Sequence, residues 1–159
     1  MSQSPAQTIN VPNSLKLKVG GRFAGIDPAA IAKAEAALKS LSSNFSEWLQ
    51  DEITKLDAAR ARVRGEGWTT ETAEHLYLRA HDLKGLGSTY EFPLITRIAG
   101  SLCKMIDKPE TRLSAPMAII DAHIDAIRAC VRDNIKDDTN PVGAALAAEL
   151  ERNVKAFLG

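Results

Sequence analysis

Cysteine is scarce in this sequence. Among its 159 residues there are two cysteines, Cys103 and Cys130, and neither forms a Cys-x-x-Cys pair or stands at a metal-ligand spacing from a histidine. This argues against both a disulfide scaffold and a zinc site. We expect two small buried thiols and no metal site.

Excess charge and long apolar runs are also missing. Twenty Lys and Arg residues balance 20 Asp and Glu residues, so the formal net charge is zero. This balance argues against a nucleic-acid partner, which is bound through phosphate neutralisation, and against an anionic membrane surface. The apolar runs are far shorter than the roughly 20 residues that a membrane span needs. We therefore expect recognition to depend on a local surface patch.

The N-terminal segment has neither the basic start nor the apolar centre of a signal peptide. Residues 1–26 are mostly polar, carry several prolines and glycines, and show one short apolar alternation. We expect a loosely ordered leader over 1–26, a single domain over 27–159 and a cytoplasmic location.

The stretch from Ala29 to Arg64 contains neither glycine nor proline and follows Asp27-Pro28, a favourable helix start. Its apolar residues recur in steps of three and four, which predicts one helix of about 36 residues with a buried stripe. Because this exceeds what a small bundle needs, we expect a bend over residues 40–44 or an overhanging first half. The stripe comprises Ile31, Ala34, Leu38, Leu41, Phe45, Trp48, Leu49, Ile53, Leu56 and Val63, with Phe45 and Trp48 in the core.

Glycine, proline and capping residues divide the rest of the chain into four further helices. We expect these helices over residues 70 to 88 or 90, 93 to 106, 114 to 136 and 141 to 158. The last is a short additional helix with an apolar residue at every fourth position: Val142, Leu146, Leu150, Val154 and Leu158. No segment shows the alternation of a strand bounded by hairpin turns. The sequence therefore predicts an all-α fold, an antiparallel bundle with short connections.

The helix that starts near residue 70 separates an apolar face from a polar one. At about 100° per residue, the centre of its apolar arc lies about 130° from His81, so this histidine is expected to be solvent-accessible. The apolar arc comprises Ala73, Leu76, Ala80, Leu83 and Gly87. The outer face beside His81 carries Glu74, Tyr77, Lys84, Gly85 and Ser88.

Gly85 and Lys84 give this outer face a specific character. A glycine in mid-helix costs roughly 1 kcal/mol relative to alanine, so Gly85 needs a reason. Helix side chains lean toward the N-terminus, so a side chain at position 85 would lie over His81, and glycine leaves that space open. Lys84 leans the same way and brings a cation within reach of a group on the imidazole. The arrangement favours a phosphoryl group, whose transfer depends on positioning and cationic stabilisation.

The pentapeptide His81-Asp82-Leu83-Lys84-Gly85 resembles the H-x-x-K-G signature of histidine-containing phosphotransfer (HPt) domains, the intermediates of bacterial two-component phosphorelays. The next segment is similar to the family's second-to-third helix hairpin, and the all-α layout agrees from about residue 27 to 136. The wider similarity is carried by Gly87, Tyr90, Phe92, Pro93, Leu94, Ile95, Ile98, Ser101 and Leu102.

The resemblance implies a four-helix bundle whose core spans about residues 43–136. It also implies that His81 accepts a phosphoryl group from an aspartyl phosphate of a receiver domain and passes it to another receiver, with Lys84 stabilising that group and Gly85 leaving it access. The implied partners are response regulator receiver domains and a hybrid sensor histidine kinase. The chain itself needs no cofactor, since Mg2+ is expected on the receiver. It is a phosphotransfer intermediate without the ATP-binding loops of a kinase, and a monomer suffices.

The sequence departs from the family pattern at Glu91, ten residues after the histidine, where the family usually has glycine. If the chain turns through a left-handed conformation there, Glu91 costs about 1 kcal/mol or shifts the helix end. Beside the histidine, Leu78 and Ser88 are expected to contact a partner domain. Tyr77 is either a further partner contact or part of the bundle packing.

Several other polar residues have simpler interpretations. His75 projects roughly 120° from His81, so the two cannot share a metal ion, and His75 is expected on the surface or helix flank. His123 is expected to be half-buried and hydrogen-bonded. Arg97 and Lys104 either line the phosphoryl-accepting face or are solvated charges.

Two other functions fit part of the pattern. A helical adaptor would bind receiver domains without being phosphorylated, but it would not need Lys84 and Gly85. A sensor-kinase dimerisation domain also carries a phosphorylated histidine on a bundle. That class adjoins an ATP-binding domain, for which the residues after the fourth predicted helix are too few. The HPt carrier is therefore the preferred hypothesis.

Overall fold

The computed structural model describes residues 27–159, and within them it contains six helices and no strand. This confirms the predicted all-α class. The helices are α1 (Pro28–Glu66), α2 (Thr70–Leu86), α3 (Pro93–Ile106), α4 (Pro109–Arg112), α5 (Met117–Arg132) and α6 (Pro141–Leu158). None of these described helices has the length and apolar content that crossing a membrane requires. The predicted leader over 1–26 lies outside the described residues.

The described residues divide after Asn44 into two units, the second of which is Phe45–Gly159. The described part of the first unit is the beginning of α1. The predicted buried stripe is wrong there for Leu38 and Leu41, which are 38% and 43% exposed. Apolar periodicity shows which residues share a helix face, but that face is buried only where another element covers it.

The rest of α1 belongs to the second unit and contributes to its core. Leu49 and Ile53 are buried, as predicted. Trp48 is 43% exposed, so its prediction as a core residue is wrong, and Phe45 is only half-buried. Adjacent helix positions differ by about 100°, so Trp48 lies well to one side of the buried Leu49 and, unlike it, is not covered. Phe45 and Trp48 instead lie beside the Tyr90 ring, with centroids 5.4 and 5.8 Å from it.

Helix α3 lies at the centre of the second unit, where it contacts α2, α4, α5 and α6. A helix surrounded by others is apolar on most of its faces. Its buried residues are Leu94, Ile95, Ile98, Ala99, Ser101, Leu102, Cys103, Met105 and Ile106. The largest contact of α3 is with α2, so the packing of this pair determines which face of α2 remains on the surface.

Two helices end earlier than the sequence predicts. α2 ends at Leu86 rather than at residue 88 or 90, and α5 ends at Arg132 rather than near 136. Each is followed within five residues by a non-glycine residue with positive φ, Glu91 at 70° and Asn134 at 56°. A left-handed residue is incompatible with a continuing α-helix, so each turn limits the helix before it.

The short helix α4 is not predicted by any sequence pattern. Its Arg112 is buried and donates hydrogen bonds from Nε to the Ile106 carbonyl oxygen at 2.6 Å and from a terminal nitrogen to the Asp107 carbonyl oxygen at 3.1 Å. These carbonyls belong to the last residue of α3 and to the residue after it, where no helical N–H reaches them. One buried side chain therefore ties α4 to the end of α3.

Helix α6 has the predicted bounds, and of its apolar residues at every fourth position Leu150 and Val154 are buried. Val142 and Leu158 are 65% and 43% exposed. An apolar residue at every fourth position drifts by about 40° per step, so a stripe of that length turns away from any single face. Gly143 permits a close contact, because a β-carbon there would lie 2.7 Å from side-chain atoms of Ile135 and Leu94. The buried residues are Gly143, Ala147, Leu150 and Val154.

The two cysteines and His123 are all buried. Cys103 and Cys130 are free thiols, which confirms the prediction for both. His123 has no exposed surface, whereas half-burial was expected, and both of its ring nitrogens have hydrogen-bond partners.

Candidate functional site

The start of α2 is fixed by a reciprocal cap. The Thr69 hydroxyl accepts a hydrogen bond from the Thr72 N–H at 3.2 Å, and the Thr69 N–H donates to the Thr72 hydroxyl at 2.9 Å. The Thr72 hydroxyl also lies 2.7 Å from the Gly67 carbonyl oxygen, to which it donates. These bonds satisfy polar groups that the first helical turn leaves free, and so they fix where α2 begins.

Helix α2 buries the face that the sequence predicts. His81, on the other side of the helix, is exposed, as predicted. Because the buried face is fully packed, α2 cannot rotate to bring His81 inward without exposing its apolar residues. The predicted core residues are all buried: Ala73, Leu76, Ala80, Leu83 and Gly87.

An aromatic ring, an apolar side chain and a cation accompany His81 on the exposed side of α2. The Tyr77 ring lies one turn earlier, with its centroid 6.0 Å from that of the His81 ring and the two planes tilted by 46°. Leu78 is 46% exposed, and Lys84 and Gly85 are exposed as well. The surface around the imidazole is therefore accessible to a partner and mixed in polarity.

The space above Gly85 is open. A β-carbon built on Gly85 would have no heavy atom within 4 Å, apart from its chain neighbours and the backbone of α2. Packing within the described chain therefore does not require glycine at this position. The missing side chain leaves free volume next to the helical turn that carries His81. A phosphoryl group attached to the imidazole would need this volume.

Gly87, two residues further on, has the opposite environment. A β-carbon there would lie 2.6 Å from the Thr96 hydroxyl oxygen and 2.7 Å from the Thr96 nitrogen. The Ser88 N–H donates to the same hydroxyl at 2.8 Å, and the Ser88 hydroxyl lies 3.1 Å from it. Gly87 therefore allows α2 and α3 to approach closely, and Ser88, predicted to contact a partner, is exposed but tied to α3.

Lys84 extends from α2 across α3. Its Cγ and Cδ atoms lie 4.0 and 3.9 Å from the position that a β-carbon of Gly100 would occupy. The positive charge of Lys84 also influences Cys103, which lies one turn further along α3. Burial raises the pKa of the Cys103 thiol to about 11, and the charge of Lys84 partly offsets this increase. Gly100 thus provides a surface for the lysine stem, a role that no sequence pattern indicates.

Tyr77 is held in place by Arg112. The guanidinium carbon of Arg112 lies 4.8 Å from the centroid of the Tyr77 ring, a cation–π geometry. Tyr77 is half-buried and packs against the hydrophobic core. Of its two expected roles, bundle packing is therefore observed, while its outer edge remains beside His81.

Glu91 adopts a left-handed conformation, with φ of 70°. The turn is closed by the Phe92 N–H, which donates to the Gly87 carbonyl oxygen at 2.7 Å. A carboxylate oxygen of Glu91 lies 3.7 Å from the Lys136 ammonium. The turn therefore places a residue with a side chain in a conformation that glycine adopts more readily.

The remaining polar candidates fall into different surroundings. His75 is half-buried on the flank of α2, as expected, and Lys104 is exposed. Arg97 donates two hydrogen bonds to the carboxylate of Glu151 on α6, at 2.8 and 2.7 Å. These bonds lower the pKa of Glu151 and engage Arg97 in an ion pair. In residues 27–159, no group of three or more His, Cys, Asp or Glu side chains is placed to hold a metal ion.

Comparison with known proteins does not assign the chain to a family. The chain matches no protein-family model, no curated protein and no solved structure. A functional assignment therefore depends on the residues and geometry around His81.

Proposed function

We propose that the protein is a phosphoryl carrier of a two-component phosphorelay. In this role His81 accepts a phosphoryl group from an aspartyl phosphate on one receiver domain and passes it to the aspartate of another. The observation that carries the proposal is an exposed imidazole on α2 with open space at Gly85 and an exposed lysine, Lys84, three residues further on. The resemblance of this segment to the HPt signature supports the same role.

The proposed transfer requires little covalent machinery from the chain. A nitrogen lone pair of the His81 imidazole forms a bond to phosphorus while the bond from phosphorus to the aspartyl oxygen breaks, and the aspartate leaves as a carboxylate. The neutral imidazole attacks through a lone pair that it already carries, so the step needs no dedicated base. Charge in the transition state spreads over the phosphoryl oxygens, so a nearby cation has the largest effect.

Lys84 is the proposed cation. Its stem lies along Gly100, and its ammonium is a point charge on a flexible chain that rotates toward a group attached to His81. Support along α3 limits the number of directions in which this chain can extend. Gly85 contributes by the absence of a side chain, so that the phosphoryl oxygens and the partner's active site have room above α2.

The proposal includes the antiparallel four-helix bundle expected for the HPt family. Its members would be α2, α3, α5 and the part of α1 after Asn44, with α6 added against α3 and α5. In support, buried residues from these helices form one hydrophobic core, and α3 contacts α2, α5 and α6. Such a bundle would hold α2 rigidly while leaving one of its faces free for a partner.

Receiver domains and a hybrid sensor histidine kinase are the proposed partners, with the Mg2+ ion on the receiver and the cytoplasm as the location. A receiver would dock over His81, where Leu78 supplies apolar surface and Tyr77 and Ser88 border it. Transient interfaces of this kind are modest in area, with an apolar centre and a polar rim. A single chain carries the whole site, so we propose a monomer that binds neither nucleic acid nor membranes.

Incubation with a radiolabelled phospho-receiver from the same cell tests the proposal. The wild type should acquire label that is labile in acid and stable in base, which is the behaviour of phosphohistidine. His81→Gln should acquire none. His75→Gln is the matched control, since it changes a second histidine of α2 and should be labelled like the wild type.

The adaptor hypothesis makes the opposite prediction. An adaptor would bind receivers and acquire no label, and Gly85→Ala would leave that binding intact. If none of the cell's receivers labels the wild type, the carrier proposal is wrong.

A further inference from the structure

A serine and a histidine outside the His81 site form a buried hydrogen-bonded pair. Ser101 Oγ on α3 lies 3.0 Å from Nε2 of His123 on α5. The other ring nitrogen, Nδ1, lies 2.7 Å from the Ile119 carbonyl oxygen. His123 has no exposed surface, and Ser101 is 8% exposed. The proposed phosphoryl transfer at His81 uses neither residue.

The partners of His123 determine which ring nitrogen carries the proton. A carbonyl oxygen can only accept, so Nδ1 must donate to Ile119 and hold the hydrogen. Nε2 of the neutral ring then has a free lone pair, and the Ser101 hydroxyl donates to it. Burial lowers the pKa of His123, which favours this neutral form. A hydroxyl bonded to a base that a third group orients is the usual arrangement of an activated nucleophile.

Ser101 opens into a cleft that carries excess positive charge. The cleft has a volume of about 500 Å³ and is lined by residues of α3 and α6, among them Arg97, Gly100, Ser101, Lys104, Glu151 and Lys155. Glu151 is engaged by Arg97 through two hydrogen bonds. Lys104 and Lys155 therefore leave the cleft with a surplus of cations, which favours a small dianion over a neutral or cationic ligand.

We infer that Ser101 is a second phosphoryl-accepting residue, with His123 as its general base, and that its phosphoryl donor is a small acyl phosphate. The cleft accommodates a molecule of this size, whereas the limited exposure of Ser101 excludes direct contact with a folded partner domain. Cations lining the same cleft as Ser101 suit a phosphoryl group better than a carboxylic ester, because the transferred group carries charge on three oxygens.

The step balances without a further reactant. Ser101 Oγ forms a bond to phosphorus, the bond between phosphorus and the bridging oxygen of the acyl phosphate breaks, and the carboxylate leaves. The hydroxyl proton passes to His123 Nε2 and from there to an oxygen of the new phosphoserine, which exchanges it with water. The products are phosphoserine, a free carboxylate and one proton.

The test is incubation of the full chain with ³²P-labelled acetyl phosphate, followed by acid treatment and identification of the labelled peptide. Phosphoserine survives acid, whereas phosphohistidine does not, so the two sites are read separately. Wild type and His81→Gln should acquire the same acid-stable label at Ser101, and Ser101→Ala should acquire none. His123→Gln should be labelled about 100-fold more slowly, the lower end of what a general base contributes.

A substitution at the buried His123 can unfold the chain. The exposed Lys104, which lines the cleft, therefore gives an independent test of the labelling rate. Lys104→Gln should lower the rate of labelling several-fold, while Lys108→Gln, at an exposed lysine that does not line the cleft, should leave it unchanged. Absence of acid-stable label on the wild type, or equal labelling of Ser101→Ala, overturns the inference. Neither result bears on His81, whose label is acid-labile.

Discussion

Gly87, the C-cap residue of α2, and Thr96 of α3 approach so closely that a β-carbon on the glycine would lie 2.6 Å from the threonine hydroxyl oxygen. That distance is shorter than any ordinary contact with a β-carbon, and one of the neighbouring atoms is the backbone nitrogen of Thr96, which has little freedom to move. Gly85, half a turn earlier, faces open space. These two glycines therefore have different physical roles, Gly87 in packing at the end of α2 and Gly85 at the helix surface.

Alanine substitutions should separate these roles. Gly87→Ala should lower the free energy of unfolding by about 1–3 kcal/mol through overpacking. Gly85→Ala should raise it by about 0.5–1 kcal/mol, because alanine has the higher helix propensity. Urea unfolding followed by circular dichroism measures both. A Gly87→Ala variant as stable as the wild type would show that α2 and α3 can separate at no cost.

The left-handed turn at residue 91 should favour glycine. Glu91→Gly should stabilise the protein by about 1 kcal/mol, since glycine adopts positive φ without a steric penalty. Glu91→Ala is the control, because it removes the same carboxylate from Lys136 but keeps a β-carbon. Thermal unfolding should place Glu91→Gly above both Glu91→Ala and the wild type. Equal midpoints for the glycine and alanine variants would exclude a backbone origin.

Lys84 should influence phosphoryl transfer without influencing stability. Lys84→Gln keeps a long polar side chain but removes the charge, so acceptance of a phosphoryl group by His81 should slow by roughly tenfold or more. Lys84→Arg retains the charge and should recover part of the rate. Single-turnover transfer from a phospho-receiver measures the effect. If Lys84→Gln transfers at the wild-type rate, the cation beside His81 has no role in the chemistry.

Substitution of Leu78 should weaken the binding of a partner domain but leave the stability of the free protein nearly unchanged. It is 46% exposed, so Leu78→Asp should change the free energy of unfolding by less than about 0.5 kcal/mol. If a receiver docks on this side of α2, burying a carboxylate there should weaken its binding by roughly tenfold, or about 1.4 kcal/mol. Titration calorimetry with the receiver measures the affinity. Leu113→Asp is the control at another leucine that is 46% exposed, and equal affinities for both variants would exclude docking at Leu78.

His123 should make stability depend on pH. Burial lowers its pKa below the ordinary value of 6.5 in the folded chain, so the unfolded chain binds this proton more tightly. The stabilisation is complete above pH 6.5 and is lost progressively as the pH falls below that value toward the folded-state pKa. Urea unfolding from pH 7.5 to 5 should show this loss in the wild type. His123→Gln should show a shallower dependence over the same range, and an identical one would assign the effect to other groups.

Much of the site follows from local spacing. The apolar residues of α2 repeat with the helical period, and this alone places Ala73, Leu76 and Leu83 inside and His81 outside. Apolar spacing was a poorer guide to burial where no neighbouring helix covers the apolar residue. Trp48 shares the apolar pattern of α1 but is 43% exposed, and the every-fourth-residue pattern of α6 is fully buried only at Leu150 and Val154.

Local periodicity was thus enough for the all-α class and the exposed face of α2, because helix formation and amphipathicity depend on residues three and four apart. Contacts across helices required the tertiary structure. Lys84 lies along Gly100, Arg97 pairs with Glu151 54 residues away, and Ser101 meets His123 22 residues away. Such contacts arise from how helices pack against one another, and no spacing within a single helix encodes them.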